Sequence, residues 1–305
     1  MSKVILILID AFRSDYLSEQ DTPFLYKCSK KGDYYKEVEQ SRSFCERSEI
    51  FTGLSPKESG YFTAIGFDPE NSPFRTMKFL KIFEIFEKLI PKNMFYRVYK
   101  RKLNKILKKA GNGMSSYSIP LSLLKYFNLT EDLYDFRSDE AFEGKNNIFS
   151  DCKKNNHNLF YDSFTALNFT ESSTDESQRQ KVVDAIDKDY SLFLLYQSLI
   201  DSVGHTYGPN SLELIQAIKK IDGELKDFYT EVSKKEEDVT FVFLGDHGMT
   251  KVREHIDVQF ALKKFQKKHK LKLEKDFIYF LDSTIFRIWY MSDKAKKIFE
   301  SEFKE

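Results

Sequence analysis

No long apolar run occurs in this chain of 305 residues. The longest aliphatic stretch covers residues 4–9 and ends at Asp10, whereas a bilayer-spanning helix takes about 20 apolar residues. A transmembrane helix is therefore not expected, and the same stretch is too short for a secretory signal core. Cysteine is scarce. Cys28, Cys45 and Cys152 are scattered, odd in number and form no CxxC pair, which excludes a disulfide framework and a thiolate zinc site. A cytoplasmic location is the expectation from these absences. An excess of one charge is also missing: 48 Lys and Arg face 47 Asp and Glu, for a net charge of +1. Specific binding of nucleic acid is accordingly not expected. No internal repeat or low-complexity tract is visible.

Aromatic residues are plentiful, with 29 Phe and 17 Tyr, and that excludes a disordered chain. The length suits one large domain or two small ones, and a single α/β domain over 1–305 is expected. Residues 4–9 are β-branched-rich and continuous, which predicts a strand buried in a sheet covered on both faces. Residues 192–200 and 239–244 predict two more. Each run leads into an aspartate: Asp10, Asp201 and, after Gly245, Asp246. Ligands and catalytic groups of α/β folds gather at the C-terminal ends of strands, so three carboxylates delivered there suggest one shared polar site. Leu214, Ile218, Ile221, Leu225 and Phe228 recur at spacings of 4, 3, 4 and 3, the signature of an amphipathic helix between two of these strands. That order implies a parallel sheet with a right-handed crossover. Two further strand segments are expected around Asp282.

The middle of the chain differs. Residues 75–109 hold 12 Lys or Arg against Glu84 and Glu87, a local charge of +10. Apolar residues recur there at helical spacing, and Pro91 is expected to divide two helices. Residues 70–165 are read as a helical, partly basic insertion that caps the sheet edge. Three roles for 75–109 remain open: surface helices with solvated lysines, a cap that attracts an anionic substrate, or peripheral contact with an anionic membrane.

Only five histidines are present, and His205, His247 and His255 lie close to strand-end aspartates. Carboxylates and imidazoles are the usual ligands of zinc and related divalent ions. Two Asp-His pairs beside adjacent strands, with Asp10 at a third, point to a metal centre. His157 and His269 sit in polar or lysine-rich stretches and are expected as solvated surface.

The order of these residues resembles the alkaline phosphatase superfamily, and within it the type I phosphodiesterases and nucleotide pyrophosphatases. The resemblance rests on Asp10-Ala11-Phe12-Arg13-Ser14-Asp15-Tyr16-Leu17, on Ser43 nine residues before Thr52-Gly53-Leu54, and on Asp201, His205, Gly208 and Pro209. Asp246-His247-Gly248-Met249 and the element from Asp282 through Arg287 to Trp289 complete it. It covers residues 3–69 and 190–290. It implies a central, mostly parallel sheet sandwiched between helices. It also implies two divalent metal ions, zinc with manganese as the alternative. One ion would be held by Asp10, Asp246 and His247 with the Ser43 hydroxyl, the other by Asp201, His205 and a third group. Ethanolamine-phosphate transferases of the superfamily place that third ligand eight residues after the Asp-His-Gly histidine, which here is His255.

Ser43 is then the nucleophile, and Arg47 offers a guanidinium fork suited to phosphate or sulfate oxygens. Departures are visible. Ser43 stands where the phosphodiesterases usually have threonine, Cys45 and Glu46 replace Pro and Asn, and Ala64 stands where nucleotide pyrophosphatases place a phosphate-contacting Asn. The implied function is hydrolysis of a small phosphorylated substrate, most simply a phosphodiester, through a phosphoseryl intermediate. Alternatives are a sulfatase, a phosphomonoesterase or phosphotransferase, and an inactive scaffold.

Overall fold

The computed structural model describes residues 2–36, 38, 46–61, 63, 65–77, 79–89, 98–99, 101–103, 105–107, 119–129, 137, 142, 144–161, 174–282 and 285–303. Its strands are β1 (Lys3–Ile9), β2 (Ile65–Phe67), β3 (Phe127–Leu129), β4 (Leu159–Tyr161), β5 (Leu192–Gln197), β6 (Val239–Leu244), β7 (Phe277–Asp282) and β8 (Ile285–Tyr290). Its helices include α1 (Pro23–Lys31), α2 (Glu46–Thr52), α3 (Pro56–Ser59), α4 (Leu80–Leu89) and α5 (Ile148–Lys154). Further along lie α6 (Asp175–Val183), α7 (Leu199–Tyr207), α8 (Leu212–Lys235), α9 (Val258–His269) and α10 (Asp293–Glu302). The chain divides into two compact units. Among the described residues, no helix is long and apolar enough to cross a membrane.

Unit 1 comprises residues 1–60 and 136–253. Its sheet runs in the order β4-β5-β1-β6, and every pairing is parallel. Ile5, Ile7 and Ile9 of β1 pack in one cluster with Phe193 and Leu195 of β5 and with Leu214, Ile218, Ile221, Leu225 and Phe228 of α8. The helical spacing read from the sequence is thus the buried face of α8. The strands it joins are not neighbours, because β1 lies between them. Two expectations need correction. The strand predicted over 192–200 stops at Gln197, and Leu199 opens α7. Asp175 is the cause: its carboxylate accepts the Ser198 and Leu199 N–H groups at 2.9–3.0 Å and the Ser198 hydroxyl at 2.9 Å, which caps a new helix. The strand over 239–244 is not covered on both faces. It stands at the end of the sheet order, and Val242 is 40 % exposed.

Unit 2 joins residues 61–135 to 254–305. It holds two antiparallel pairs, β2–β3 and β7–β8. Phe74, Phe127, Phe277, Phe280 and Phe299 are fully buried in its core, and Trp289 stacks on Phe67 with ring centroids 5.9 Å apart. The segments expected around Asp282 are the β7–β8 pair. The 70–165 span is divided between the units, and residues 159–161 within it are not helical: β4 pairs with β5 as the other end of the main sheet. Within 75–109, α4 precedes Pro91 and the described residues 98–99, 101–103 and 105–107 after it are also helical, while Pro91 itself lies outside the described residues.

Candidate metal centre

Asp10 leaves β1 with its backbone N–H bonded to Gln197 O at 3.0 Å. The next residue, Ala11, adopts φ 59°, a left-handed conformation that costs a residue bearing a Cβ. The turn brings the Ala11 N–H to Asp246 Oδ1 at 3.1 Å, and the His247 N–H reaches the same oxygen at 2.7 Å. Asp246 follows β6 through Gly245. A Cβ on Gly245 would lie 2.3 Å from Phe12 O, so only glycine allows the loops to meet. Arg13 fastens them further. Its Nη1 donates to Met249 O at 2.8 Å while Nε and Nη2 grip Asp15 at 2.8 and 2.5 Å. The residues of the Asp-Ala-Phe-Arg-Ser-Asp motif therefore hold the Asp-His-Gly-Met loop in place.

Asp10, Asp201 and His247 each offer a ligand atom, and these atoms lie within 4.8 Å of one another. His247 Nε2 is 3.1 Å from Asp10 Oδ1 and 3.9 Å from Asp246 Oδ2. The expected division into two ligand sets is crossed by this grouping, which takes members from both. Asp201 reaches it from the first turn of α7, not from a strand end as expected. One turn on, His205 Nε2 lies 3.2 Å from Asp201 Oδ1 with its side chain 72 % exposed. His255 is exposed and belongs to unit 2. Ser43 and Cys45 lie outside the described residues. Arg47, on α2, acts through its charge on the phenol of Tyr196.

The electrostatics favour a cation. Burial, and then the negative charge of Asp10, push the Asp246 carboxyl up to about 6. Burial followed by Asp10 also raises Asp201. Asp10 Oδ1 is buried and accepts no hydrogen bond among the described residues, because His247 approaches it without hydrogen-bonding geometry. Three carboxylates, one of them with the unsatisfied buried oxygen, and an imidazole form an oxygen- and nitrogen-rich donor set that fits a divalent ion.

Sequence reasoning missed two supporting residues. The Tyr196 hydroxyl donates to Asp10 Oδ2, and burial together with Asp10 raises its pKa. It orients the ligand in the way outer-shell groups do. Tyr196 sits inside an apolar run, where an aromatic reads as core. Asp175 sets the start of α7 and hence the place of Asp201. The Thr174-x-x-Ser177 capping box marked its helix start, but nothing local indicated a contact 23 residues away. His157 and His269 are not solvated as expected. His157 Nδ1 is buried, and His269 packs on Phe265 with ring centroids 4.6 Å apart.

Comparison with known proteins identifies the family. Residues 4–302 match the family described as type I phosphodiesterase / nucleotide pyrophosphatase. An uncharacterized pyrophosphatase/phosphodiesterase of Schizosaccharomyces pombe is 24 % identical over 255 residues, 81 % of this chain and 45 % of that protein. GPI ethanolamine phosphate transferase 1 of Yarrowia lipolytica is 34 % identical over 87 residues, 27 % of this chain and 9 % of that one. The chain thus spans less than half the length of these curated relatives. Murine ectonucleotide pyrophosphatase / phosphodiesterase 5, in an inactive form in complex with AMP, superposes with TM-score 0.62 at 18 % identity, covering 98 % of this chain and 69 % of that one. The human protein of the same name gives TM-score 0.60 at 18 % identity, with the same coverage. By the match along nearly its whole length, the chain belongs to the type I phosphodiesterase / nucleotide pyrophosphatase family.

Proposed function

We propose that this chain hydrolyses phosphodiesters with the help of divalent metal, zinc or manganese. The observation that carries the reading is the convergence of Asp10, Asp201, Asp246 and His247 around a buried Asp10 oxygen without a hydrogen-bond partner among the described residues. Asp10, Asp246 and His247 would hold one ion, and Asp201 and His205 would contribute to the other. When bound, such ions neutralise phosphoryl oxygens and lower the pKa of a nearby hydroxyl. Ser43 Oγ attacks phosphorus and the ester oxygen opposite it leaves as an alcohol. Water then cleaves the phosphoseryl bond and restores the hydroxyl. Arg47 neutralises a non-bridging oxygen during both displacements.

A second reading, transfer of the phosphoryl group to an acceptor alcohol instead of water, is favoured by the similarity to GPI ethanolamine phosphate transferases. Elemental analysis of protein purified without chelator tests the metal. Bis-p-nitrophenyl phosphate, p-nitrophenyl phosphate and p-nitrophenyl sulfate then sort the reaction classes, with and without added alcohol. Bound zinc or manganese with preferred turnover of the diester is expected. Absence of any transition metal, with no activation on adding one, overturns the reading.

A further inference from the structure

Helix α4 has two apolar faces. Leu80 and Phe83 join the core of unit 2, and Glu84 accepts the Ser122 N–H at 2.9 Å, which fixes the inward side. On the opposite side Phe79, just before the helix, and Ile82, Ile85, Phe86 and Leu89 recur at spacings of three and four. They are 43, 56, 52, 55 and 74 % exposed. Side chains of this size, roughly half exposed, present an apolar stripe on the order of 500 Å², as large as the largest patches usual on soluble monomers. Such a stripe needs an occupant.

Charge identifies the occupant. Residues 75–109 carry +10 in a chain of net +1, and Arg101, Lys102 and Lys105 are exposed. We infer that α4 seats on an anionic lipid surface, with its outward stripe in the headgroup–acyl boundary and the basic side chains against the lipid charges. An interfacial helix requires this combination: apolar residues for depth and cations for attraction. The protein face of α4 is already packed, so the helix lies flat on the lipid surface. Lysine and arginine stems can cover apolar surface while their charged ends reach the headgroups.

The test is sedimentation of the full chain with phosphatidylcholine vesicles, with and without phosphatidylserine. Binding to the anionic vesicles only, weakened by added salt, is the expected result. Ile82→Ser with Phe86→Ser should lower the bound fraction at least tenfold, and both positions are exposed enough for the fold to persist, as circular dichroism will check. Phe86→Trp supplies a second readout: its emission should shift to the blue on anionic vesicles and be quenched by brominated lipid. No binding, equal binding to both vesicle types, or unchanged binding of the double variant overturns the proposal. So does a dimer that the double variant abolishes, which assigns the stripe to a second copy of the chain. None of these readouts involves turnover, so they stand apart from the proposed activity.

Discussion

Two groups of carboxylates, one in each unit, are treated in opposite ways. In unit 1, Asp246 and Asp201 are held above their ordinary range by burial and by Asp10. In unit 2, burial pushes Glu274 up, but the Lys125 ammonium at 2.6 Å, the charge of Lys81 and the Tyr126 hydroxyl outweigh it and hold the group low. Asp276 is low as well, chiefly because the Lys272 N–H donates to it at 2.7 Å. Acids gathered without cations mark a place where charge is to be supplied; acids already matched to lysines and amides hold structure together. The comparison supports the proposed chemistry at the Asp10 cluster of unit 1 and gives Glu274 and Asp276 of unit 2 a packing role.

The strongest challenge to that comparison is turnover itself. Ser43→Ala should lower kcat by several orders of magnitude, since attack and metal binding act as one unit. Ser43→Thr should keep appreciable activity because a hydroxyl remains, and Cys45→Ala should change little. Glu274→Gln in unit 2 should leave kcat within a small factor of wild type. Kinetics on bis-p-nitrophenyl phosphate for these four variants check the assignment. Loss in Cys45→Ala with activity in Ser43→Ala would reverse the choice of nucleophile.

Next in size is a reversal of sign in stability. Asp246→Asn keeps an oxygen for the Ala11 and His247 N–H groups but removes a charge held against its preference. Without metal, the folded state binds the Asp246 proton more tightly than the unfolded state does. Stability therefore falls as pH rises from about 4 to about 6. At neutral pH the metal-free variant should be more stable than wild type by on the order of 2 kcal/mol. Added zinc or manganese should raise the Tm of wild type and that of the variant far less. Calorimetry with and without chelator measures both, and a variant less stable than wild type in both states would break the comparison.

How far the sequence discloses all this depends on the range of each interaction. Strands β1 and β6 and the buried face of α8 follow from runs and spacings a few residues long, which any window reveals. The cluster of Asp10, Asp246 and His247 follows because strand ends bring it together. Asp201 reaches the same place by another route: the Asp175 carboxylate ends β5 early, and that bond joins residues 23 apart. Unit 2 is hidden for the same reason. Phe127 meets Phe280 and Trp289 across about half the chain, at 6.1 and 5.2 Å, so no local pattern shows that 61–135 and 254–305 share a core.

Asp175 offers a finer test within unit 1. Asp175→Ala removes the acceptor for two N–H groups and a hydroxyl at the start of α7 and should cost about 1–3 kcal/mol. If the cap also places Asp201, metal affinity measured by titration calorimetry should drop in the same variant, and Asp175→Asn should restore most of it. Lost stability with unchanged affinity would confine Asp175 to a structural part.

The smallest effect expected belongs to unit 2 and carries the opposite pH sign. Glu274 is held below its ordinary 4.5 by Lys125, Lys81 and Tyr126. Its contribution to stability is present above that value and is lost as pH falls through the lower folded one. The side chain is 23 % exposed and Lys125 is 42 % exposed, so solvent screens the pair and Glu274→Gln should cost less than about 1 kcal/mol. Melting curves of wild type and variant should separate at neutral pH and converge in acid, with the variant the weaker. For Asp246→Asn the curves also converge in acid, but with the variant the stronger at neutral pH. Two carboxylate-to-amide changes with opposite effects follow only if the Asp10 cluster of unit 1 holds charge in excess while Glu274 of unit 2 is paired. The same sign in both would remove the basis for separating them.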